Sequence, residues 1–294
     1  MANLKAIRIR IASVRSTRQI TSAMKMVSAA KLRKAQDKIV RLRPYAGKLH
    51  EILVGLSQSL SESQEENIYG RKSEPEKILL VVVTSNRGLC GAFNSNVLKE
   101  TKKIIQEKYY SQYKKGNLFI VAIGKKGYDT LRKLSIPGLK EYNWLFQDLS
   151  FENVSAVAGK IMDNFVKGEF DRVEIIYNQF KNAAVQNLTV ETFLPVETVV
   201  SDKKATIPVD YIYEPDRKEI IRELIPKSLK IQFYKTLLDS FVAEHGARMT
   251  AMHKATDNAT EMIRSLTLQY NKARQAAITS QILEVVSGAE ALKS

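Results

Sequence analysis

One stretch limits the folds open to this chain more than any other. From Lys227 to Gly288 there is no proline, and before the last residue only one glycine, Gly246. Steps of three and four from Leu238 meet Phe241, His245, Arg248, Met252, Ala255, Ala259, Met262, Leu266, Gln269, Ala273, Ala276, Ser280 and Leu283. That is a seven-residue repeat, mostly apolar or small at its a and d positions, the pattern by which one helix wraps another. Gly288 stands where a left-handed residue would close the helix. At 1.5 Å per residue such a helix measures roughly 90 Å, more than a compact domain of this mass can bury. It must project, and it needs a partner.

The other end of the chain supplies one. With Asn3 as N-cap, Leu4, Ile7, Ile11 and Val14 open a seven-residue pattern that resumes at Leu32, Ala35, Ile39 and Leu42. Between them the frame meets Arg18, Thr21, Lys25 and Ser28, while the apolar stripe moves to Ile20, Ala23, Met24 and Val27. Such a shift is expected to change the supercoil and bend it. Pro44 is expected to kink or weaken the helix, which continues through Leu49, Leu53 and Leu56. From Lys5 to Arg43 the cationic side chains are answered only by Asp37. This helix is a positively charged shaft.

The middle of the chain follows a different pattern. Residues 57–75 are polar and acidic, with Gly70 and Pro75, and read as a linker. Ile78 to Val83 is a continuous β-branched and leucine run, as in a strand buried on both faces. A glycine turn, Arg87-Gly88-Leu89-Cys90-Gly91, leads into a helix reaching about Tyr110. Further strands are expected at Leu118–Ile123, Arg172–Tyr177 and Leu188–Val196, with helices to about Leu134 and over Phe151–Val166. This alternation predicts a Rossmann-like, doubly wound, mainly parallel sheet. Pro215 suits the start of a short helix through Leu224, which Pro226 would end. The expected organisation is a shaft helix over 1–60, a linker over 61–76 and an α/β domain over 77–205. A connector with its short helix follows over 206–226, then a second shaft helix over 227–294. The two connections of the inserted domain lie at one end, so the arms of the coiled coil should run antiparallel.

A formal net charge of +15 calls for an acidic partner or surface, which nucleic acid, an acidic protein cavity or an anionic membrane face would each provide. The basic first helix presents Met24, Met26, Val27, Ala29 and Ala30 at its centre, which suits a protein surface better than base contacts. No apolar run approaches the length of a membrane span, and the basic N-terminal stretch has no signal-peptide centre. The lone cysteine, Cys90, precludes an intramolecular disulfide and fits a reducing compartment, where the triplets at Asn153, Asn187 and Asn258 read as chance.

The glycine turn lacks both the G-x-G-x-x-G spacing and a Walker lysine-serine pair, so a plain strand-to-helix turn is favoured over a phosphate cradle. Arg87 stands near Cys90, but the α/β domain has no histidine to activate a thiol, which favours a structural cysteine. His50, His245 and His253 do not have metal-ligand spacing, and His245 reads as a packing residue of the helix seam. Asp148 and Glu152 read as loop and helix-start residues. No cofactor or catalytic residue is assigned.

Three separated groups of residues carry a resemblance. The first is Ile7-Arg8 through Thr17, Ile20, Thr21, Ala23-Met24, Met26-Val27 and Lys31. The second is Ser85-Asn86-Arg87-Gly88-Leu89-Cys90-Gly91, where many members of the family carry Asp at the Asn86 position. The third comprises Ala247-Arg248-Met249, Ala251-Met252, Ala255-Thr256-Asp257-Asn258, Tyr270 to Ala276, Ile278-Thr279 and Ser287-Gly288-Ala289. Together, over nearly the whole chain, they resemble the gamma subunit of the F-type rotary ATP synthase. The chain lacks the cysteine insert of chloroplast forms, which points to a bacterial or mitochondrial type.

The resemblance implies a non-catalytic rotor subunit of a proton-translocating complex, present once per complex and binding neither nucleotide nor nucleic acid. The terminal helices would form the central stalk inside the alpha3beta3 ring, and the α/β domain a foot seated with the epsilon subunit on the c-ring. It further implies rotor–stator contacts at Met24, Lys25, Arg248, Gln275, Thr279 and Glu284. Arg87, Gly88, Cys90 and Gly91 would form the foot-domain loop. The expected location is peripheral, on the cytoplasmic face of the bacterial inner membrane. The alternative is a basic coiled-coil protein that binds nucleic acid or acts as a scaffold.

Overall fold

The computed structural model describes residues 4–58, 68–70, 74–134, 136, 138–196 and 217–291. Asn3 and most of the expected linker and connector lie outside the described residues. The elements run α1 (Leu4–Gln58), β1 (Ile78–Val83), α2 (Phe93–Glu107), α3 (Tyr110–Lys114), β2 (Leu118–Ile123), α4 (Lys125–Leu131), β3 (Lys140–Glu141), α5 (Phe151–Val166), β4 (Arg172–Phe180), β5 (Gln186–Leu194) and α6 (Arg217–Ala291). Two compact units emerge: Met1–Ala29 with Arg248–Ser294, and Ala30–Ala247.

The larger unit is built on a five-stranded sheet of order β3-β2-β1-β4-β5, parallel except for the antiparallel β4–β5 pair. All six residues of β1 are buried, as a strand covered on both faces requires. Ile78, Leu80 and Val82 pack with Val97, Ile104 and Ile105 of α2 on one face. Val121 and Ile161 line a common cleft, so α5 lies on the other face, that of Val81. The Ser150 side chain caps α5 by accepting from the Asn153 amide. Glu174 is buried but not isolated: it accepts from Lys108 Nζ at 2.6 Å, the Tyr109 hydroxyl at 2.7 Å and Arg172 Nε at 3.0 Å. Burial, with this carboxylate as a second cause, pushes the Tyr109 hydroxyl far above its ordinary range.

Within this unit α6 packs closely on the sheet domain. Phe233 meets Phe193, Tyr234 meets Phe151, and Phe241 stacks on Phe146. A Cβ at Gly246 would stand 3.3 Å from both the Cα and the carbonyl oxygen of Ala183, in the β4–β5 turn. The one glycine inside the long apolar run therefore marks a close approach of backbones.

Pro226 departs from expectation, because α6 begins at Arg217 and passes through it, whereas α1 continues through Pro44 as the sequence pattern suggests. A proline frees the carbonyl four residues earlier. Here those carbonyls belong to Arg222 and Val40, both exposed, where water can meet them. Gly288 does not close α6 either, because the helix runs on to Ala291 through good helix formers. Elsewhere α2 ends at Glu107, followed by the short α3, and the two-residue β3 was not foreseen in the sequence.

In the smaller unit the two helical segments run antiparallel. Arg8 Nη2 donates to the Tyr270 hydroxyl at 2.8 Å, and the hydroxyls of Thr21 and Thr256 are 2.8 Å apart, so moving forward on α1 moves back on α6. The hydrogen bond to Tyr270 raises the affinity of the Arg8 guanidinium for its proton.

Candidate functional site

The packed face of α1 keeps one seven-residue frame throughout. Thr21 and Ser28 are 9% and 3% exposed, whereas Ile20 and Val27 are 54% and 57% exposed. The expected shift of the packing stripe to Ile20, Ala23, Met24 and Val27 does not occur. The apolar residues face outward and the polar ones meet the partner helix. Geometry explains the choice: Thr21 lies opposite Thr256, and a small seam residue lets two helices approach while its hydroxyl finds a partner.

On α6 the buried residues of this unit are Met252, Ala259 and Leu266. Half-buried Thr256, Ile263, Tyr270 and Ala277 alternate with them, whereas Met262, Gln269 and Ala276 are exposed. One half of the expected repeat is therefore displaced by a residue. Both spacings share a period of seven, and the register with α1 selects between them.

The residues expected to contact a stator fall into two groups. Met24 is exposed, Lys25 half-buried at the seam edge, and Arg248 half-buried on α6. Continuing the register of the hydroxyl pair sets Lys25 opposite Met252, with Arg248 one turn beyond. Gln275, Thr279 and Glu284 are exposed, and they begin about 40 Å further along α6 at 1.5 Å per residue. Thr279 donates to the Gln275 carbonyl at 2.9 Å, so its hydroxyl is engaged by its own helix. Beside this second group runs an open apolar groove lined by Ile278, Gln281, Ile282, Val285 and Val286. Its steps of four and three are visible in the sequence, one row away from the packing seam.

The turn after β1 is a rigid knot. Ser85 N donates to Asn94 Oδ1 at 2.9 Å, Ser85 Oγ donates to the Arg87 carbonyl at 2.7 Å, and Asn94 Nδ2 donates to Cys90 Sγ at 3.2 Å. Cys90 is buried with Phe93 and Ala243, a structural position. Gly91 has φ +59°, and Leu89 adopts φ +62° without being glycine, holding a side chain that is 62% exposed. The left-handed conformation of Leu89 is not encoded in the turn's residue types. Its setting between Gly88 and Cys90-Gly91 signals only a turn.

This turn lies at the carboxyl edge of the parallel strands, where doubly wound sheets accept ligands. Here the backbone donors beside it are occupied. The amides of Lys125, Lys126 and Gly127 go to Asn86 Oδ1 at 3.0 Å, the Ser85 carbonyl at 3.1 Å and Thr84 Oγ1 at 2.8 Å. A Cβ at Gly124 would come within 2.1 Å of the Thr84 carbonyl oxygen, so the β1 and β2 ends are packed against each other.

Residues 3–292 match the family model described as ATP synthase. The chain belongs to the ATP synthase gamma-chain family. It is 57% identical to the ATP synthase gamma chain of Flavobacterium johnsoniae, with 99% of each chain covered. It is 52% identical to that of Cytophaga hutchinsonii, with both chains covered in full. Among solved structures, a chain of the Euglena gracilis mitochondrial ATP synthase aligns over 98% of this chain and 94% of its own, with TM-score 0.67 and 20% identity. A chain from the Tetrahymena thermophila mitochondrial ATP synthase central stalk and c-ring covers 80% of this chain and 99% of its own, with TM-score 0.60 and 24% identity. At these identities the solved structures speak for the fold. Full-length identity to gamma chains makes this a central-stalk, rotor subunit, and the nucleic-acid or scaffold alternative has no support.

Proposed function

We propose that this chain is a non-catalytic rotor that couples the turning of a membrane c-ring to the three catalytic sites of an alpha3beta3 ring. One observation carries the reading. Between Arg18 and Ser28 the polar side chains fill the helix seam, and Ile20, Met24 and Val27 are left on the outside. A helix that spends polar residues on its own partner and exposes apolar ones is shaped for a second protein surface.

Met24 and Lys25, with Arg248 across the seam, form the lower contact with the stator. Gln275, Thr279 and Glu284, beside the apolar groove of α6, form the upper one. Arg87, Gly88, Cys90 and Gly91 shape the foot-domain turn, with Leu89 as its displayed side chain. The α/β domain rests on the c-ring beside an epsilon subunit, one copy per complex, at the cytoplasmic face of a bacterial membrane. No helix among the described residues is long and apolar enough to cross a membrane, in keeping with attachment through other subunits. The amides taken up beside the turn after β1 support a foot that holds no nucleotide there.

The mechanism is differential contact. A shaft whose sides differ in charge and apolarity presents a different face to each of three surrounding sites. Rotation then favours nucleotide-holding and nucleotide-releasing states in turn, because the shaft interacts with those states unequally. Proton flow drives the turn for synthesis, and hydrolysis drives it in reverse.

Met24→Lys tests the lower contact. In membranes with full assembly, the ratio of ATP-driven proton pumping to ATP hydrolysis is expected to fall. An unchanged ratio at normal assembly would remove Met24 from the contact.

A further inference from the structure

We infer that the α/β domain holds a site for a small phosphate-bearing ligand, in the cleft between the β2–β3 edge of the sheet and α5. The cleft encloses about 200 Å³. Its floor is apolar, made by Val121, Ile161 and Phe170, all buried. Its polar lining is Lys140, Tyr142, Lys160 and Asn164.

Each of those four side chains ends in a hydrogen-bond donor, and the two lysines have no acceptor to offer in return. Among the described residues, no carboxylate pairs with Lys140 or Lys160, and neither the Asn164 amide nor the Tyr142 hydroxyl is engaged. Both lysines are exposed, and what sets them apart from the other lysines of the domain is that they line one cleft that has no carboxylate in its lining. Two cations and two neutral donors around one apolar-floored cleft suit a ligand rich in acceptors and negative charge. A phosphate ester carries both, and lysine binds phosphate as a point charge.

The volume sets the ligand's size. Pockets for drug-sized ligands and cofactors hold roughly 300–1,000 Å³, so this cleft takes a phosphate with a short organic body rather than a nucleotide. The framework is firm on both sides. Lys140 is paired in register with Val121, and Phe170 packs edge-to-face on Phe119 at 5.4 Å. The site is also separate from the turn after β1, whose neighbouring amides are already used. The phosphate can belong to a soluble ester or to a lipid headgroup, and the two sources are separable by experiment.

Glycerol 3-phosphate is titrated calorimetrically into the full chain, and the same chain is sedimented with vesicles of phosphatidylglycerol in phosphatidylcholine. The variants are Lys140→Gln with Lys160→Gln, Asn164→Leu, and a charge-matched control, Lys99→Gln with Lys103→Gln on α2. Removing charge-assisted hydrogen bonds should weaken binding at least about tenfold in the first variant, with a smaller loss in the second and under about twofold in the control. Saturable binding of glycerol 3-phosphate with this pattern identifies a soluble ester. Binding to vesicles alone, with the same pattern, identifies a headgroup. No binding to either probe, or equal losses in the control and the lysine pair, overturns the site.

Discussion

β1 and the stretch of α1 from Arg18 to Ser28 use apolar side chains in opposite ways. Every residue of β1 is buried, in contact with helices on both faces and strands on both edges. In the α1 stretch the buried side chains are Thr21 and Ser28, and the large apolar ones are outside. The strand belongs to a finished core, stable through the area it removes from water. The helix stretch spends little of its apolar surface on its own fold, and its packing rests on close approach and a specific hydroxyl contact. A rotor requires both behaviours: a base that transmits torque without deforming, and a shaft surface still available to other subunits.

The largest effect is expected in the sheet. Leu80→Ala empties part of a fully buried position and should cost about 2–5 kcal/mol, read by chemical denaturation of the full chain. A loss no larger than that of a surface substitution would deny the sheet its role as the stable base. Gly246→Leu comes next, because its Cβ would already stand 3.3 Å from the Ala183 backbone. Overpacking of this kind costs typically about 1–3 kcal/mol, and it should expose the β4–β5 turn to amide hydrogen exchange. Unaltered exchange around Ala183 would mean the helix and turn can part without consequence.

A smaller effect is expected in the helix pair. Thr21 can donate to Arg18 O, Thr256 to Met252 O, and each to the other, so two protons serve three contacts. Thr21→Val should cost about 1 kcal/mol, and adding Thr256→Val should cost little more, since the contact between the two hydroxyls is already lost. Fully additive losses would show that the hydroxyls do not act as a pair. Met24→Lys should change stability least, within about 0.5 kcal/mol, because Met24 lies outside the seam. Its effect should appear in coupling instead, which separates folding from function at a single residue.

Much of this was legible in the residues. The two terminal helices, the strands at 78–83 and 118–123, the strand from Arg172 up to Tyr177, three residues short of its end, and the α5 boundaries follow from periodicity, β-branched runs and turn residues. Of the residues in the gamma-chain motifs, Met24 and the end of α6 are exposed, whereas Thr21, Ser85, Cys90 and Met252 are buried. Leu89 was not legible, since its importance lies in a φ angle that composition does not encode. The phosphate cleft was not legible either, because Lys140 and Asn164 come from a two-residue strand and a helix more than twenty positions apart.

By itself the sequence determined that both chain ends are helices with a period of seven and that the middle is a buried, mainly parallel sheet. Those properties depend on residues a few positions apart, whose geometry is set by the backbone. Only the tertiary structure decided which face of α1 packs, that Pro226 is carried within a helix, and which of two seven-residue frames α6 uses. Each of those outcomes depends on surroundings: Thr256 across from Thr21, and the exposure of Arg222, whose carbonyl Pro226 leaves free. A pattern along one chain carries no record of its partner, and the free energy of contact belongs to the pair.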